Sequence, residues 1–203
     1  MTSSSTFRSG VPTRIEIRRV EPGSSVVVIG CGGVGQAVIQ GARIAGASRI
    51  IAVDPVALKR DTALKLGATD AVDPEAGDVV AQVQALTGGR GADYAFEVIG
   101  VPDLITQAFN CVRNGGAAIA VGVPRFDALV NLPTYPLVLG EKRLLGTVYG
   151  SANVRRDFPR LVGLVETGRL DIGDMVSNTI PLDDINKGFD AMKNGEVIRS
   201  VIV

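Results

Sequence analysis

The stretch from Ser25 to Asp54, SVVVIGCGGVGQAVIQGARIAGASRIIAVD, restricts the fold more than any other part of the chain. Val26, Val27, Val28 and Ile29 are consecutive β-branched residues, the pattern of a parallel strand buried on both faces. Gly30, Gly32 and Gly35 follow at once as G-x-G-x-x-G, with Gly33 and Val34 between the last two. Each glycine has its own task. The first permits a sharp turn, the second lets backbone come close to a pyrophosphate, and the third lets the next helix pack tightly on the strand. A helix starting near Val34 turns its free N–H groups and positive dipole end toward that turn, which favours an anion there. Ala37, Val38, Gly41, Ala42 and Ala45 are expected to form its inward face, with Gly46 as its stop. Ile50, Ile51, Ala52 and Val53 read as a second buried strand ending at Asp54. That carboxylate falls about 20 residues past Gly35, where an acid accepts hydrogen bonds from an adenosine ribose.

Strand, turn, helix, strand and acid agree on a dinucleotide site. A carboxylate at Asp54 repels the extra phosphate of NADP, so NAD is the expected cofactor, with Arg60 the opposing feature nearby. A nucleoside site for S-adenosylmethionine also uses glycines and a strand-end acid, but it does not need the tightly packed third glycine.

The rest of the sequence alternates in the same way. Val56 to Leu66 has a helical pattern with Leu58, Ala63, Leu64 and Leu66 inward, and Ala71-Val72 is a short third strand. A helix carrying Val79, Val80, Val83 and Leu86 closes at Gly88-Gly89, and Ala92 to Ile99 is the fourth strand. Pro102 starts a helix with Leu104, Ile105, Ala108, Phe109 and Val112 inward, ended by Gly115-Gly116. Ala117 to Val123 is the fifth strand and Arg143 to Tyr149 a sixth, at a sheet edge. This order predicts an α/β fold, a doubly wound parallel sheet with right-handed crossovers. Ligands of such sheets bind outside the carboxyl ends of the strands. Gly100 and Gly122 lie at two of those ends, where absent side chains would leave room for a nicotinamide. Beyond Gly150 the pattern gives a helix from about Asp157 to Thr167 and a strand near Met175 to Ile180. A helix from Asp183 to Lys193 and a final strand from Val197 to Val203 follow. The chain therefore divides into a lead-in (1–20), a nucleotide-binding unit (21–149) and a C-terminal extension (150–203).

Composition narrows the function classes. With formal net charge zero and scattered basic residues, nothing points to nucleic acid or to an anionic membrane surface. No apolar run reaches membrane-spanning length, and the start, MTSSSTFRSG, lacks the apolar core of a signal peptide, so a cytoplasmic location is expected. Cys31 and Cys111 are the only cysteines, too few for a disulfide framework, and are expected to be reduced thiols.

The motifs VEPGSSVVVIGCGGVG, RIIAVD, KLGATDAVD, FEVIG, VGVP and INKGFDAMKNGEVIRSVIV together resemble the medium-chain, zinc-type alcohol dehydrogenases over most of the chain. The resemblance implies a Rossmann fold in which Asp54 binds the adenosine ribose with help from Lys59. Val34, Ile99, Val121 and the backbone around Val123 and Tyr149 would line the nicotinamide, and Arg199 would pair with the pyrophosphate. It also implies a homodimer joined through the strand Arg143 to Tyr149.

The sequence departs from that family in its chemistry. Family members carry a separate catalytic domain that holds zinc through cysteine and histidine. This chain has no histidine, and both of its cysteines fall in the nucleotide-binding part. Where the family places a ligand cysteine, Ser9 precedes Gly10-Val11-Pro12-Thr13, and Arg14 stands where a glycine is expected. An alcohol must become alkoxide-like before it gives up hydride, and zinc does this by lowering the pKa of a bound oxygen, from 15.7 to about 7 for water. Without it, and without a general base suited to neutral pH, the chain is expected to show little turnover alone. Two readings follow: the NAD-binding part of an oxidoreductase acting on an alcohol or thiol adduct, active if a partner chain supplies a catalytic domain, or a non-catalytic NAD(H)-sensing or assembly module. On either, residues 150–203 should expose apolar surface, because in the family they pack partly on the catalytic domain.

Overall fold

The computed structural model describes residues 20–203; the expectations placed on Ser9, Arg14 and the lead-in before Val20 fall outside them. Strands β1 (Ser25–Ile29), β2 (Arg49–Val53), β3 (Asp70–Val72), β4 (Ala92–Glu97), β5 (Val112–Ala120) and β6 (Arg143–Gly146) form one sheet in the order β3-β2-β1-β4-β5-β6. Every pairing is parallel. The β1 apolar run has no polar alternation because both of its faces are covered: Val26 and Val28 face one core layer and Val27 and Ile29 the other. Helices α1 (Gly33–Ile44) and α2 (Ala57–Leu66) supply Val38, Ile39, Ala42 and Ala63 to the first layer. Helices α3 (Val79–Leu86) and α4 (Pro102–Cys111) supply Val79, Val83, Ala108 and Phe109 to the second. The doubly wound α/β sheet is the architecture expected from the sequence.

Several local readings are corrected. In α1, Ala37 faces solvent, while Gln36 and Gln40 are fully buried. The helix has a second contact face, because the C-terminal part of the chain lies against it. Gln40 donates from Nε2 to the Asp171 carbonyl (2.5 Å) and accepts at Oε1 from the Asp171 N–H (2.8 Å). In α2 only Ala63 and Leu66 are buried; Leu58 and Leu64 point outward. The fourth helix ends at Cys111, so Gly115-Gly116 interrupts a strand instead of ending a helix. The pairing of β5 with β4 jumps from Ala92↔Val112 to Tyr94↔Ala117, and Gly115 (φ +72°) lies in the bulge between.

Strands β4, β5 and β6 also stop short of their predicted ends, at Glu97, Ala120 and Gly146, because the apolar sequence continues into loops above the sheet. Beyond them, α6 (Val154–Glu166) starts three residues earlier than expected. Asn153 caps it by accepting from the Arg156 N–H (3.3 Å), and Asp157 reaches back to the Asn153 N–H (2.7 Å). A five-residue helix, α5 (Thr134–Val138), precedes it in the connection between β5 and β6. Strands β7 (Asn178–Ile180) and β8 (Ser200–Ile202) pair in parallel as a small second sheet, and α7 (Ile185–Lys193) lies between them in sequence. Both strands are shorter than predicted, since Met175, Val197 and Ile198 are buried before or outside the pairing. Neither α6 nor α7 buries a residue, and Phe158, Val162, Phe189 and Met192 are each about half exposed or more. This is the apolar surface the sequence led us to expect.

Cys31 and Cys111 are free and fully buried. Burial pushes each thiol from 9.0 up to about 12, with the Asp54 carboxylate adding to the effect at Cys31 and Asp78 at Cys111. The folded chain thus keeps two protons that the unfolded chain releases near 9.0. Their stabilising contribution is complete below that pH and is lost as pH rises from 9.0 toward about 12. Urea midpoints are expected to fall through this window, and to fall less in the Cys31→Ala/Cys111→Ala double variant. Parallel curves for the two proteins would contradict it.

Candidate functional site

The carboxyl ends of β1, β2, β4 and β5 converge on one rim. There Gly30 (φ +94°) turns the chain out of β1, and its N–H donates to the Val53 carbonyl (2.9 Å). A Cβ added to Gly30 would lie 2.6 Å from Ile99 Cγ1, and one added to Gly35 would overlap the Gly30 carbonyl oxygen. The third glycine therefore lets α1 rest directly on the end of the strand. Gly32 is different: nothing lies within 4 Å of where its Cβ would be, so it faces open space at the start of α1. No side chain caps that helix and its first turn holds no acid, so its leading N–H groups and dipole remain available to an anion.

Arg199 arrives at the same place from the other end of the chain. Its Nη2 lies 3.0 Å from the Cβ position of Gly33. The side chain is exposed and has no ion-pair partner among the described residues. Gly195 sits against Val56 just above α2, which brings the GEVIRS stretch alongside the glycine turn. Arg199 is thus placed beside the glycine turn.

Asp54 is 5% exposed, and its carboxylate is already engaged. Oδ2 accepts from the Cys31 N–H (2.8 Å) and Oδ1 from the Val56 N–H (2.9 Å), tying the end of β2 to the glycine turn. Each carboxylate oxygen has more than one acceptor direction, so the group retains capacity for a ligand hydroxyl. Lys59 is half-buried one turn into α2; its carbonyl accepts from Gln36 Nε2 (3.0 Å), and its ammonium has no ion-pair partner among the described residues. Arg60 is occupied. It donates from Nη1 to the carbonyls of Asp54 (2.7 Å) and Pro55 (2.7 Å), and its Nη2 is 2.9 Å from Asp73 Oδ2.

The remaining candidates are apolar or aromatic and exposed to different degrees. Val34 and Ile99 are about half exposed and Val121 is half-buried, while Val123 (84%) and Tyr149 (94%) stand almost free in solvent. Tyr149 lies past the end of β6, in a 3-10 turn with φ 50°, not in the strand to which its sequence assigns it. Gly100 and Gly122 also permit a close approach of backbone. A Cβ on Gly100 would be 2.6 Å from the Val123 carbonyl oxygen, and one on Gly122 would meet the Gly100 nitrogen. The two loops touch backbone to backbone, and the glycines permit that contact.

One residue of the rim escapes the sequence reading. Glu97 ends β4, is fully buried, and accepts at Oε1 from the N–H groups of Ile99 (2.8 Å) and Gly100 (2.8 Å). It shapes the loop that carries Ile99. The signal available in the sequence was an acid inside the otherwise apolar run AFEVIG, just ahead of a glycine.

These residues fit a dinucleotide. The open backbone at Gly32, the guanidinium beside Gly33, the buried acid at the end of β2 and the exposed Val34 and Ile99 all lie around the carboxyl ends of the strands, where such sheets take a dinucleotide. They do not fit a catalytic zinc. Among the described residues no three of His, Cys, Asp or Glu form a metal-holding group, the chain contains no histidine, and both thiols are buried in separate core layers.

Fold and site together define a Rossmann-type nucleotide-binding unit of the dehydrogenase kind. The chain belongs to the zinc-binding dehydrogenase family, whose pattern matches residues 33–167. It is 41% identical over 197 residues to alcohol dehydrogenase 1 of Pisum sativum, covering 96% of this chain and 51% of the relative. An alcohol dehydrogenase zinc-binding domain protein from Burkholderia ambifaria superposes with a TM-score of 0.87 at 34% identity, over 94% of this chain and 51% of that one. A zinc-binding dehydrogenase from Sinorhizobium meliloti 1021, solved bound to NADP, superposes with a TM-score of 0.81 at 28% identity, over 95% and 58%. The chain spans about half the length of the relatives it matches, and the matched half is their nucleotide-binding part.

Proposed function

We propose that these 203 residues bind NAD(H) as the cofactor half of an alcohol dehydrogenase-like oxidoreductase, and that they do not turn over an alcohol by themselves. The observation that carries the reading is the Asp54 carboxylate, buried at the end of β2 and fastened to the glycine turn by the Cys31 N–H. An anion fixed at that point favours a ribose diol and opposes a 2′-phosphate, so NAD is preferred over NADP. Gly30, Gly32, Gly33 and Gly35 bring the backbone to the pyrophosphate, Arg199 neutralises it, and Lys59 assists Asp54 at the ribose. Val34, Ile99, Gly100, Val121, Val123 and Tyr149 line the nicotinamide and exclude water from one of its faces.

The bound cofactor would accept hydride from an alcohol or thiol adduct. The proton of that substrate has no acceptor suited to neutral pH among the residues described here. Turnover therefore requires a catalytic domain from another segment or a partner chain. The exposed apolar faces of α6 and α7 support such a partner, and the outer edge of β6 supports a homodimer. The same two surfaces favour the second reading, a non-catalytic NAD(H)-sensing or assembly module. Two free buried thiols accord with a reducing, cytoplasmic setting, and no helix among the described residues is long and apolar enough to cross a membrane.

Hydrogen exchange with and without NADH tests the binding mode. Protection is expected at residues 30–36, 54–59 and 199. Purified chain supplied with zinc, NAD and a primary alcohol should produce no NADH absorbance. Turnover by the 203 residues alone, or protection confined to other regions, would refute the proposal.

A further inference from the structure

We propose that Asp73 helps set the choice between NADH and NADPH by holding Arg60 away from the ribose, an inference that rests on the cofactor site proposed above. Arg60 is the fourth residue of α2, six positions after the acid that would face the ribose. A 2′-phosphate needs a cation at that point, and the planar guanidinium is the group best suited to grip one with two parallel hydrogen bonds. Arg60 has the right chemistry, yet three of its five donors are engaged elsewhere.

The register explains where they go. Strands β2 and β3 pair Val53 with Val72, so Asp54 and Asp73 emerge side by side at the rim, and the Asp54 N–H donates to the Val72 carbonyl (3.3 Å). Arg60 lies across this step. Nη1 holds the carbonyls of Asp54 and Pro55, both at 2.7 Å, and Nη2 meets Asp73 Oδ2 at 2.9 Å. The side chains are only 18% and 31% exposed, so water screens the pair less than it would a surface one. Asp73 is itself immobilised, because its Oδ1 caps a 3-10 turn, Pro74–Ala76, by accepting from the Glu75 N–H (2.9 Å). A fixed carboxylate on one side and two carbonyls on the other direct the guanidinium along the sheet edge toward β3, with its charge matched.

Two acids therefore act against a 2′-phosphate by separate routes. Asp54 repels it directly. Asp73 removes the cation that would otherwise receive it. Lys59 does not replace that cation, since it is a point charge that cannot grip a phosphate with a fork.

The test uses the whole chain and fluorescence titration with NADH and NADPH. Asp73→Asn keeps an oxygen to cap the Glu75 N–H while removing the charge; Asp73→Ser does the same with a smaller side chain and serves if the first variant folds poorly. NADPH affinity is expected to rise about tenfold, the scale of one charge-assisted contact, with NADH affinity changing by less than about twofold. Adding Arg60→Ala to Asp73→Asn should return NADPH affinity to the wild-type level. If NADH binds normally but Asp73→Asn leaves the NADPH to NADH ratio unchanged, the role of Asp73 is wrong and the cofactor site stands. A gain that persists without Arg60 is also contrary, because loss of bulk negative charge then accounts for it. Wild-type protein that binds neither cofactor overturns both the inference and the function on which it rests.

Discussion

Gly35→Ala is expected to destabilise the chain by about 1–3 kcal/mol and to abolish measurable NADH binding. The sign of the stability change is the informative part. Glycine inside a helix ordinarily costs about 0.5–1 kcal/mol relative to alanine, so an unconstrained replacement stabilises. Gly163 in α6 is such a position, with nothing within 4 Å of its absent Cβ, and Gly163→Ala should raise the urea midpoint. At Gly35 the new methyl group would overlap the Gly30 carbonyl oxygen, which is backbone and cannot swing aside. Helix α1 must lift from the end of β1, and the N–H groups that face the pyrophosphate move with it. Equal stabilisation at both positions would mean that the close approach of helix to strand is not a constraint.

Asp54→Ala should weaken NADH binding by about a hundredfold and should also lower stability, because two N–H groups lose their acceptor. The Cys31 and Val56 N–H groups both donate to this carboxylate within the folded chain. A buried donor left without a partner costs about 1–3 kcal/mol, and a hundredfold change in affinity corresponds to about 2.7 kcal/mol. Asp54→Asn separates the effects. It retains one carbonyl oxygen for one of the two donors, so stability should recover in part, while the loss of charge should narrow the preference for NADH over NADPH. If Asp54→Ala lowers stability but leaves NADH affinity intact, the acid is a structural clamp and the ribose assignment fails.

Strong local signals made the central unit legible. The run Val26 to Ile29, the glycine spacing and the acid after Val53 each pointed to the same local geometry, and β1, α1 and β2 form accordingly. Errors arose where a residue answers to something beyond its own helix or strand. Ala37 was read as core from helical periodicity, but α1 has two contact faces, and Gln40 is the residue that the second face buries. Leu58 and Leu64 were assigned to the interior on apolarity alone, whereas α2 touches the sheet along a narrow line. The strands beginning at Ala92, Ala117 and Arg143 were read too long at their carboxyl ends. Ile99, Val121, Val123 and Tyr149 continue the apolar pattern, but they lie past the strand ends and do not pair in the sheet. Apolarity shows that a residue needs a partner without saying whether the partner is the sheet, a ligand or another domain.

Polar residues with distant partners were the least legible. The acid in AFEVIG marks Glu97 as unusual without naming the Ile99 and Gly100 N–H groups as its partners, and nothing near Asp73 announces Arg60. The roles of Asp54 and Arg199 were visible only through the family resemblance and the motif spacing. The end of β2 ties Asp54 to Cys31, and the segment ahead of β8 sets Arg199 beside Gly33, so distant parts of the chain reach the same glycine turn.

Titration of the purified chain with NADH and, separately, NADPH, followed by cofactor fluorescence, tests the central claim most directly. Saturable binding of NADH at one site per chain, much weaker binding of NADPH, and loss of that preference in Asp54→Ala are the predicted results. Failure of the chain to bind NADH would contradict the account, and would mean that the glycine turn serves the fold without holding a cofactor.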